Sequence, residues 1–358
     1  MNLRKVSLFI LCLVMAVASC KKDEDPEVTF TELEDRAEQQ EKDMDSLVKY
    51  LETHYYNSEY IESLGVNASV SDIVFGKLEA DETDAPEGYT MLKKGDVYAP
   101  KLEMKSITYA DTDYDYFLLS LNIGGGINSP KFPDKIRYNY EGFTLDDVVF
   151  DYSVFPVDGD MVGNGTTRTE RIPGWRKIIP FFNTAEYFVE NGDGTIDYFN
   201  HGLGVMFLPS GLAYFSNSAT GIPSYSPIIF KFEILQMFEN DHDGDGIPSY
   251  LEDLNGDGEF IVNYDDITDS TDDDTDGDYT PDYADSDDDG DGILTKDEIT
   301  ITTVNKTTLN EVKNTSLAYN QVLLNKINKE LDGSYTGTII TFHDTDGVGV
   351  FDYLDKNH

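Results

Sequence analysis

Acidic side chains at regular odd spacing are the strongest chemical signal in this 358-residue chain. In Asp241-His242-Asp243-Gly244-Asp245-Gly246, closing at Glu252, carboxylates fall at positions 1, 3, 5 and 12 of a twelve-residue loop, with Gly at position 6. Asp287-Asp288-Asp289-Gly290-Asp291-Gly292, closing at Glu298, repeats the pattern. Asp274, Asp276 and Asp278 with Asp285 form a third run in which Tyr279 stands where Gly is expected, and Asp253, Asn255 and Asp257 form a partial fourth. Hard oxygen ligands on alternate residues, folded around a Gly turn, suit Ca²⁺, which takes six to eight of them. The expected ligands are therefore Asp241, Asp243, Asp245, Glu252, Asp274, Asp276, Asp278, Asp285, Asp287, Asp289, Asp291 and Glu298. A disordered acidic tail would carry acids without register; here the register recurs. Asp344-Thr345-Asp346-Gly347-Val348-Gly349 is a later echo that has lost its third acid.

The charge follows the same division. Formal net charge is −43, and residues 241–298 hold 23 Asp and Glu against one Lys, a net of −22. Such a surface repels a phosphate backbone, so nucleic acid is excluded as a partner. The Asp-x-Asp-Gly-Asp-Gly-x-Pro rhythm resembles thrombospondin type 3-like repeats, and single loops resemble EF-hand loops. Flanking helices are not evident in the sequence, which favours the former. Calcium is then expected as a structural ion, with no cofactor needed for catalysis.

A second set of residues lies upstream, in a stretch of short, alternating, aromatic-rich runs over residues 88–237. Tyr140-Glu141-Gly142 is followed by Phe150-Asp151-Tyr152-Ser153; then come Ile172-Pro173-Gly174-Trp175, Leu208-Pro209 through Ala213-Tyr214, and Ile222-Pro223 before Ile228-Ile229-Phe230-Lys231-Phe232-Glu233. Together, in this order, these runs resemble the FKBP-type peptidyl-prolyl cis-trans isomerases. The resemblance implies a pocket walled by Tyr140, Phe150, Trp175 and Phe230, with the sole tryptophan as its floor. It also implies that the Ile172 N–H and the Tyr214 hydroxyl hold substrate carbonyls, that Asp151 orients the reacting region, and that the partners are proline-containing client proteins. The chain departs from the family pattern at Arg171, Pro173 and Phe215, and carries an insertion around Asn191-Gly192-Asp193-Gly194, a hairpin-turn signal. Intact Tyr140, Asp151, Trp175 and Tyr214 favour an enzyme. A non-catalytic FKBP-like chaperone or binding domain, and a calcium-dependent structural or adhesive surface lipoprotein, are the alternatives.

The elements that must position these residues can be read from periodicity. Tyr116 to Leu121, Ile136 to Tyr140, Val148 to Tyr152, Gly204 to Leu208 and Ile228 to Leu235 read as strands. One helix, Trp175 to Phe182, opens behind Pro173-Gly174. The expected fold class is α+β, an FKBP-like antiparallel sheet wrapped on one short helix. Before it, Leu33, Ala37, Met44, Leu47, Val48 and Leu51 mark an amphipathic helix running to Tyr55-Tyr56, suited to packing on the next domain or to dimerisation or client binding. After it, residues 309–331 read as helical.

The N-terminus reads as an export signal. Arg4 and Lys5 precede an apolar run at residues 6–17 that is too short to span a bilayer, and Val17-Ala18-Ser19-Cys20 resembles a bacterial lipobox. Cys20 is then the lipidated first residue of the mature chain, anchored to the outer membrane of a cell envelope. Cys12 is the only other cysteine and leaves with the signal, so no disulfide is expected. The expected organisation is a signal over 1–19, a tether and helix over 20–65, the isomerase-like domain over 88–237, the acidic repeats over 241–298, and a C-terminal extension over 299–358.

Overall fold

The computed structural model describes residues 33–163, 171–266 and 268–358. The segment expected to be an export signal, and Cys20, lie outside these residues. Within the segment from Asp35 to His358, a large antiparallel sheet, the acidic loops and a small C-terminal sheet pack as one unit.

Helix α1, Arg36–Thr53, begins at Asp35, whose carboxylate accepts the N–H groups of Ala37 and Glu38. An acid here satisfies two amides that have no intrahelical partner and complements the positive helix end. Its apolar stripe, with Leu47, Tyr50 and Leu51 fully or almost fully buried, lies on one face of the main sheet.

That sheet is built from β1 (Leu102–Tyr109), β2 (Thr112–Asn122), β3 (Lys135–Thr144), β4 (Val149–Tyr152), β5 (Val157–Asp160), β6 (Gly202–Leu208) and β7 (Ile228–Phe238). Its order is β5-β3-β7-β6-β2-β1, all antiparallel, with β4 pairing on β3. Successive side chains on a strand point to opposite faces. Phe230, Phe232 and Ile234 of β7, Met206 and Leu208 of β6, and Tyr114, Tyr116 and Leu118 of β2 enter one core with Trp175. Ile229, then Val205 and Phe207, then Phe117, Leu119 and Leu121 enter the other, beneath α1. Both faces are covered, which is why β6 and β7 read as nearly unbroken apolar runs.

The short helix α2, Pro173–Ile178, covers the first core, and a 3-10 turn at Ile179–Phe181 continues it. It is shorter than the expected run to Phe182 because Pro180 has no N–H to extend the α pattern. The insertion forms a separate hairpin, Tyr187–Glu190 with Ile196–Phe199, closed by the Asn191 N–H on the Thr195 carbonyl.

Residues 309–331 are not one helix. Only Leu309–Lys313 is helical; Gln321–Lys329 is a strand, β9, in a small sheet ordered β8 (Ile299–Lys306), β10 (Tyr335–Phe342), β9. Val322 and Leu324 alternate toward Ile299, Ile340 and Phe342, so this sheet's core overrides a helix-tolerant composition. The β9 register shifts between Leu323 and Ile327, and the freed groups turn to the main domain. There the Ile327 N–H donates to Asn128 Oδ1 and the Asn325 amide to the Ser129 carbonyl. No helix among the described residues is long and apolar enough to cross a membrane.

Asp43 ties α1 to the loop after β6. Its buried carboxylate accepts the Ser210 N–H at 2.7 Å, the Ser210 hydroxyl at 2.6 Å and the Gln39 amide at 2.7 Å. Asp43→Ala leaves these donors without a partner, and chemical denaturation is expected to show a loss of about 1–3 kcal/mol. An unchanged midpoint would mean that the helix is held by its apolar stripe alone.

Candidate active site and acidic loops

The aromatic residues selected from the sequence converge on one cavity. It has a volume of about 120 Å³ and is lined by Tyr138, Tyr140, Asp151, Arg171, Ile172, Trp175, Tyr214 and Phe230. Trp175, 4 % exposed, lies with its ring centroid 5.4 Å from Phe230 and 5.9 Å from Tyr140, both edge-on. Phe150 meets Phe230 edge-on at 5.4 Å from behind rather than lining the cavity. A Cβ at Gly142 would sit 2.5 Å from the Phe230 ring and 2.6 Å from Phe150, so only glycine lets β3 pass these two rings.

Polar groups edge the cavity. The Tyr140 hydroxyl donates to Asp151 Oδ2 at 2.7 Å. Burial, and then the neighbouring carboxylate, push the Tyr140 phenol well above its ordinary pKa, so it remains a donor throughout the neutral range. Ser153 holds the turn that presents Asp151, accepting the Tyr140 N–H on its hydroxyl and donating its own N–H to the Tyr140 carbonyl. The Tyr214 phenol is likewise raised, mainly by burial and then by Asp151.

Sequence reasoning missed Tyr138, although it lies two residues from Tyr140 on the same strand face; its ring is 4.9 Å from Trp175. Arg171, noted there only as a departure, lines the cavity with its guanidinium 6.0 Å from the Tyr138 ring centroid. Phe215 takes φ +47°, the left-handed conformation that favours glycine. The Arg36 guanidinium lies 4.3 Å above its ring and Tyr225 meets it edge-on at 5.1 Å, contacts that offset the backbone strain.

The acidic loops share one turn geometry. The first Asp of each, at 241, 253, 274 and 287, accepts the N–H of the residue five positions on, which is Gly246, Gly258, Tyr279 or Gly292. All four of those residues have positive φ, and Tyr279 adopts +82° without being glycine.

Three groups of acids are brought together, each with carboxylate or imidazole atoms within 4.8 Å of one another: Asp243, Asp245, Glu252 and Asp288; Asp274, Asp276 and Asp278; Asp289 and Asp291 with His358. Of the expected ligands, Asp241, Asp285, Asp287 and Glu298 fall outside these groups. Asp285 accepts the Asp287 N–H instead. Glu298 faces His358 Nε2 at 2.9 Å. Asp288, outside the odd-position rule, crosses from the last loop into the first.

Glu252 and Asp288 are only 1 % and 2 % exposed, and none of their four carboxylate oxygens has a hydrogen-bond partner among the described residues. Buried carboxylates are normally paired or bound to a cation. A hard divalent cation fits this donor set, and Asp243, Asp245, Glu252 and Asp288 would hold it.

Comparison with known proteins bears on both halves. The chain is 26% identical over 177 residues to the FKBP-type peptidyl-prolyl cis-trans isomerase FkpA of Aeromonas hydrophila, covering 47% of this chain and 53% of that protein. The likeness is to FKBP-type isomerases. The chain spans about half the length of this curated relative. A family model described as BamM C-terminal matches residues 242–325, the acidic loops and part of the small sheet. Among solved structures, the similar ones include a peptidyl-prolyl isomerase of Pseudomonas syringae, with 18% identity, 39% of this chain and 82% of that one, and a TM-score of 0.28. FkpA of Escherichia coli matches with 17% identity, 66% and 73% coverage, and a TM-score of 0.29.

The buried acids set a pH dependence. Desolvation, and then Asp282, Asp245 and Asp243, push Asp288 up to about 10; desolvation first also raises Asp245 to about 7, and Glu252 lies well above its ordinary value. With folded values above unfolded ones, the folded state binds more protons between about pH 4 and the raised values, so stability falls as pH rises through that window. In chelator, thermal unfolding of the full chain is expected to move to lower temperature from pH 5 to 8. Added Ca²⁺ is expected to take these acids in deprotonated form and so to flatten or invert the trend. A melting temperature insensitive to pH in chelator would contradict this burial.

Proposed function

We propose that the cavity is a peptidyl-prolyl cis-trans isomerase site of FKBP type, in a lipid-anchored folding factor of the bacterial cell envelope whose acidic module is ordered by calcium. The observation that carries the reading is the Tyr140–Asp151 hydrogen bond at the rim of an aromatic cavity floored by Trp175. Sequence similarity to an FKBP-type isomerase supports it independently.

The chemistry needs no nucleophile. Rotation about an X-Pro bond crosses a barrier of about 18–20 kcal/mol set by amide resonance. A water-poor aromatic cavity disfavours the charge-separated planar amide, and fixed donors favour the twisted one. Tyr140, Trp175 and Phe230 supply the cavity, with Phe150 behind them. Tyr214 and the Ile172 N–H would hold substrate carbonyls, and Asp151, oriented by Tyr140, would steer the turning carbonyl. About 120 Å³ admits one side chain, well below the ~300–1,000 Å³ of a drug-sized ligand site, which suits a single proline presented by a polypeptide.

Arg171 favours a second reading, a binding domain that captures clients without turnover, because its guanidinium brings charge and water to a cavity that should be dry. Asp151→Ala is expected to lower kcat/KM in a proline-peptide exchange assay about tenfold, ~1.4 kcal/mol of transition-state stabilisation, with circular dichroism unchanged. Wild-type protein that does not accelerate exchange, yet binds unfolded clients, would establish the second reading.

Cys20 is the proposed lipid anchor, and stable attachment by lipid takes two acyl chains or equivalent signals. Cys20→Ser is expected to release the protein into the soluble fraction; a variant still in the membrane pellet would remove the anchor from the proposal.

A further inference from the structure

The acidic module touches the back of the helix that carries the cavity floor. Immediately after Trp175, Arg176 and Lys177 turn away from the cavity and are buried, with side chains 6 % and 7 % exposed. Glu259 meets both, with Arg176 Nη1 at 2.8 Å from Oε2 and Lys177 Nζ at 2.8 Å from Oε1. Lys177 also donates to the Asp257 carbonyl at 2.7 Å. Two cations taken out of water are costly unless paired, so the position of this helix depends on where Glu259 is held.

Glu259 is held by the acidic turn itself. Its N–H donates to Asp257 Oδ1 at 2.8 Å, and the Gly258 N–H donates to Asp253. The fully buried Asp273 bridges the two ends of the turn, accepting the Leu254 and Ile261 N–H groups at 2.9 Å. Asp273 directly precedes the Asp274, Asp276 and Asp278 group. Next to Glu259, Phe260 lies between Phe132 of the main domain, at 5.0 Å, and Tyr283 of the neighbouring loop, stacked at 4.0 Å. A contiguous path of hydrogen bonds and ring contacts thus runs from the clustered acids to the helix.

We propose that Glu259 is a positioning residue for the cavity: from the acidic module it fixes Arg176 and Lys177, and through their helix the Trp175 floor, so the site is complete only when the acidic loops are ordered. The proposal rests on the reading of the acidic loops as cation-ordered and gives them a role in the isomerase-like site. Glu259 touches neither the cavity nor its contents; it acts through the helix. An FKBP-like domain lacking this module would have to neutralise the equivalent of Arg176 and Lys177 in another way.

Trp175 is the only tryptophan, so its emission reports the cavity floor in the full chain without a label. In Ca²⁺, Glu259→Gln is expected to red-shift that emission and to increase acrylamide quenching, while small-angle scattering stays at the wild-type dimensions. Chelator should produce the same shift in wild type and no further shift in the variant. Arg176→Gln should shift the emission in the same direction but less, since Lys177 still pairs with Glu259, and the double variant should be no worse than Glu259→Gln, which already removes the Arg176 pair.

Emission and quenching of Glu259→Gln indistinguishable from wild type, additive effects in the double variant, or a wild-type emission indifferent to chelator would each overturn the proposal. Because the readout is the tryptophan, it decides the matter even if no proline-exchange activity is found, which keeps this proposal separable from the isomerase reading. Where activity is present, its loss in Glu259→Gln should follow the emission shift across a Ca²⁺ titration.

Discussion

Strand β7 is the constraint on which the rest of the structure depends. It lies at the centre of the main sheet, paired with β3 on one side and β6 on the other, and is buried on both faces along most of its length. Strict alternation then delivers Phe230 and Phe232 to the core beneath α2, and Ile229 to the core beneath α1. A slip of one residue in its register would exchange these two sets. Even its polar residues are committed. Glu233 accepts the Val70 N–H and the Asn139 amide and pairs with His201, all of them buried or partly buried, and Lys231 pairs with Glu141. The Trp175 floor exists because Phe230 and Phe232 are held against it from this strand.

The cavity is supported from two directions that its own residues do not reveal. From the N-terminal side, α1 carries Asp43 to Ser210 and Arg36 to Phe215, fixing both ends of the segment that presents Tyr214. From the C-terminal side, Glu259 neutralises the cations behind Trp175. The left-handed conformation of Phe215 is held by these added contacts rather than by local preference, a common means of keeping a loop in one shape.

The acidic loops carry an opposite tension. Their carboxylates are buried close together, where desolvation and mutual repulsion favour protonation or a bound cation over free charge. The same packing gives the module its small apolar core, since Ile247, following the first Gly turn, is buried against Ile299, Ile340 and Tyr353. Its counterpart after the last loop, Ile293, is 44 % exposed, so the loops are not equivalent even though their turns superpose in pattern.

Local rules in the sequence determined a good part of this protein. Short apolar and aromatic runs marked five strands of the main sheet but not β1 or β5, Pro173 and Gly174 marked the start of α2, and aspartates at odd spacing marked the turns, because each is a property of a few neighbouring residues. The aromatic residues of the cavity were legible through resemblance, and Tyr138 was within reach by counting two residues back from Tyr140. Tertiary structure alone decided what depends on distant partners. Residues 321–329 became a strand because a partner strand and the Asn128 and Ser129 groups were waiting for them. Asp288 joined the first loop rather than its own, and Arg171 came to lie over Tyr138. Glu259 met Arg176 and Lys177 across more than 80 residues of chain. No local spacing encodes such meetings, since each is set by how whole layers pack and by which buried charge needs a partner.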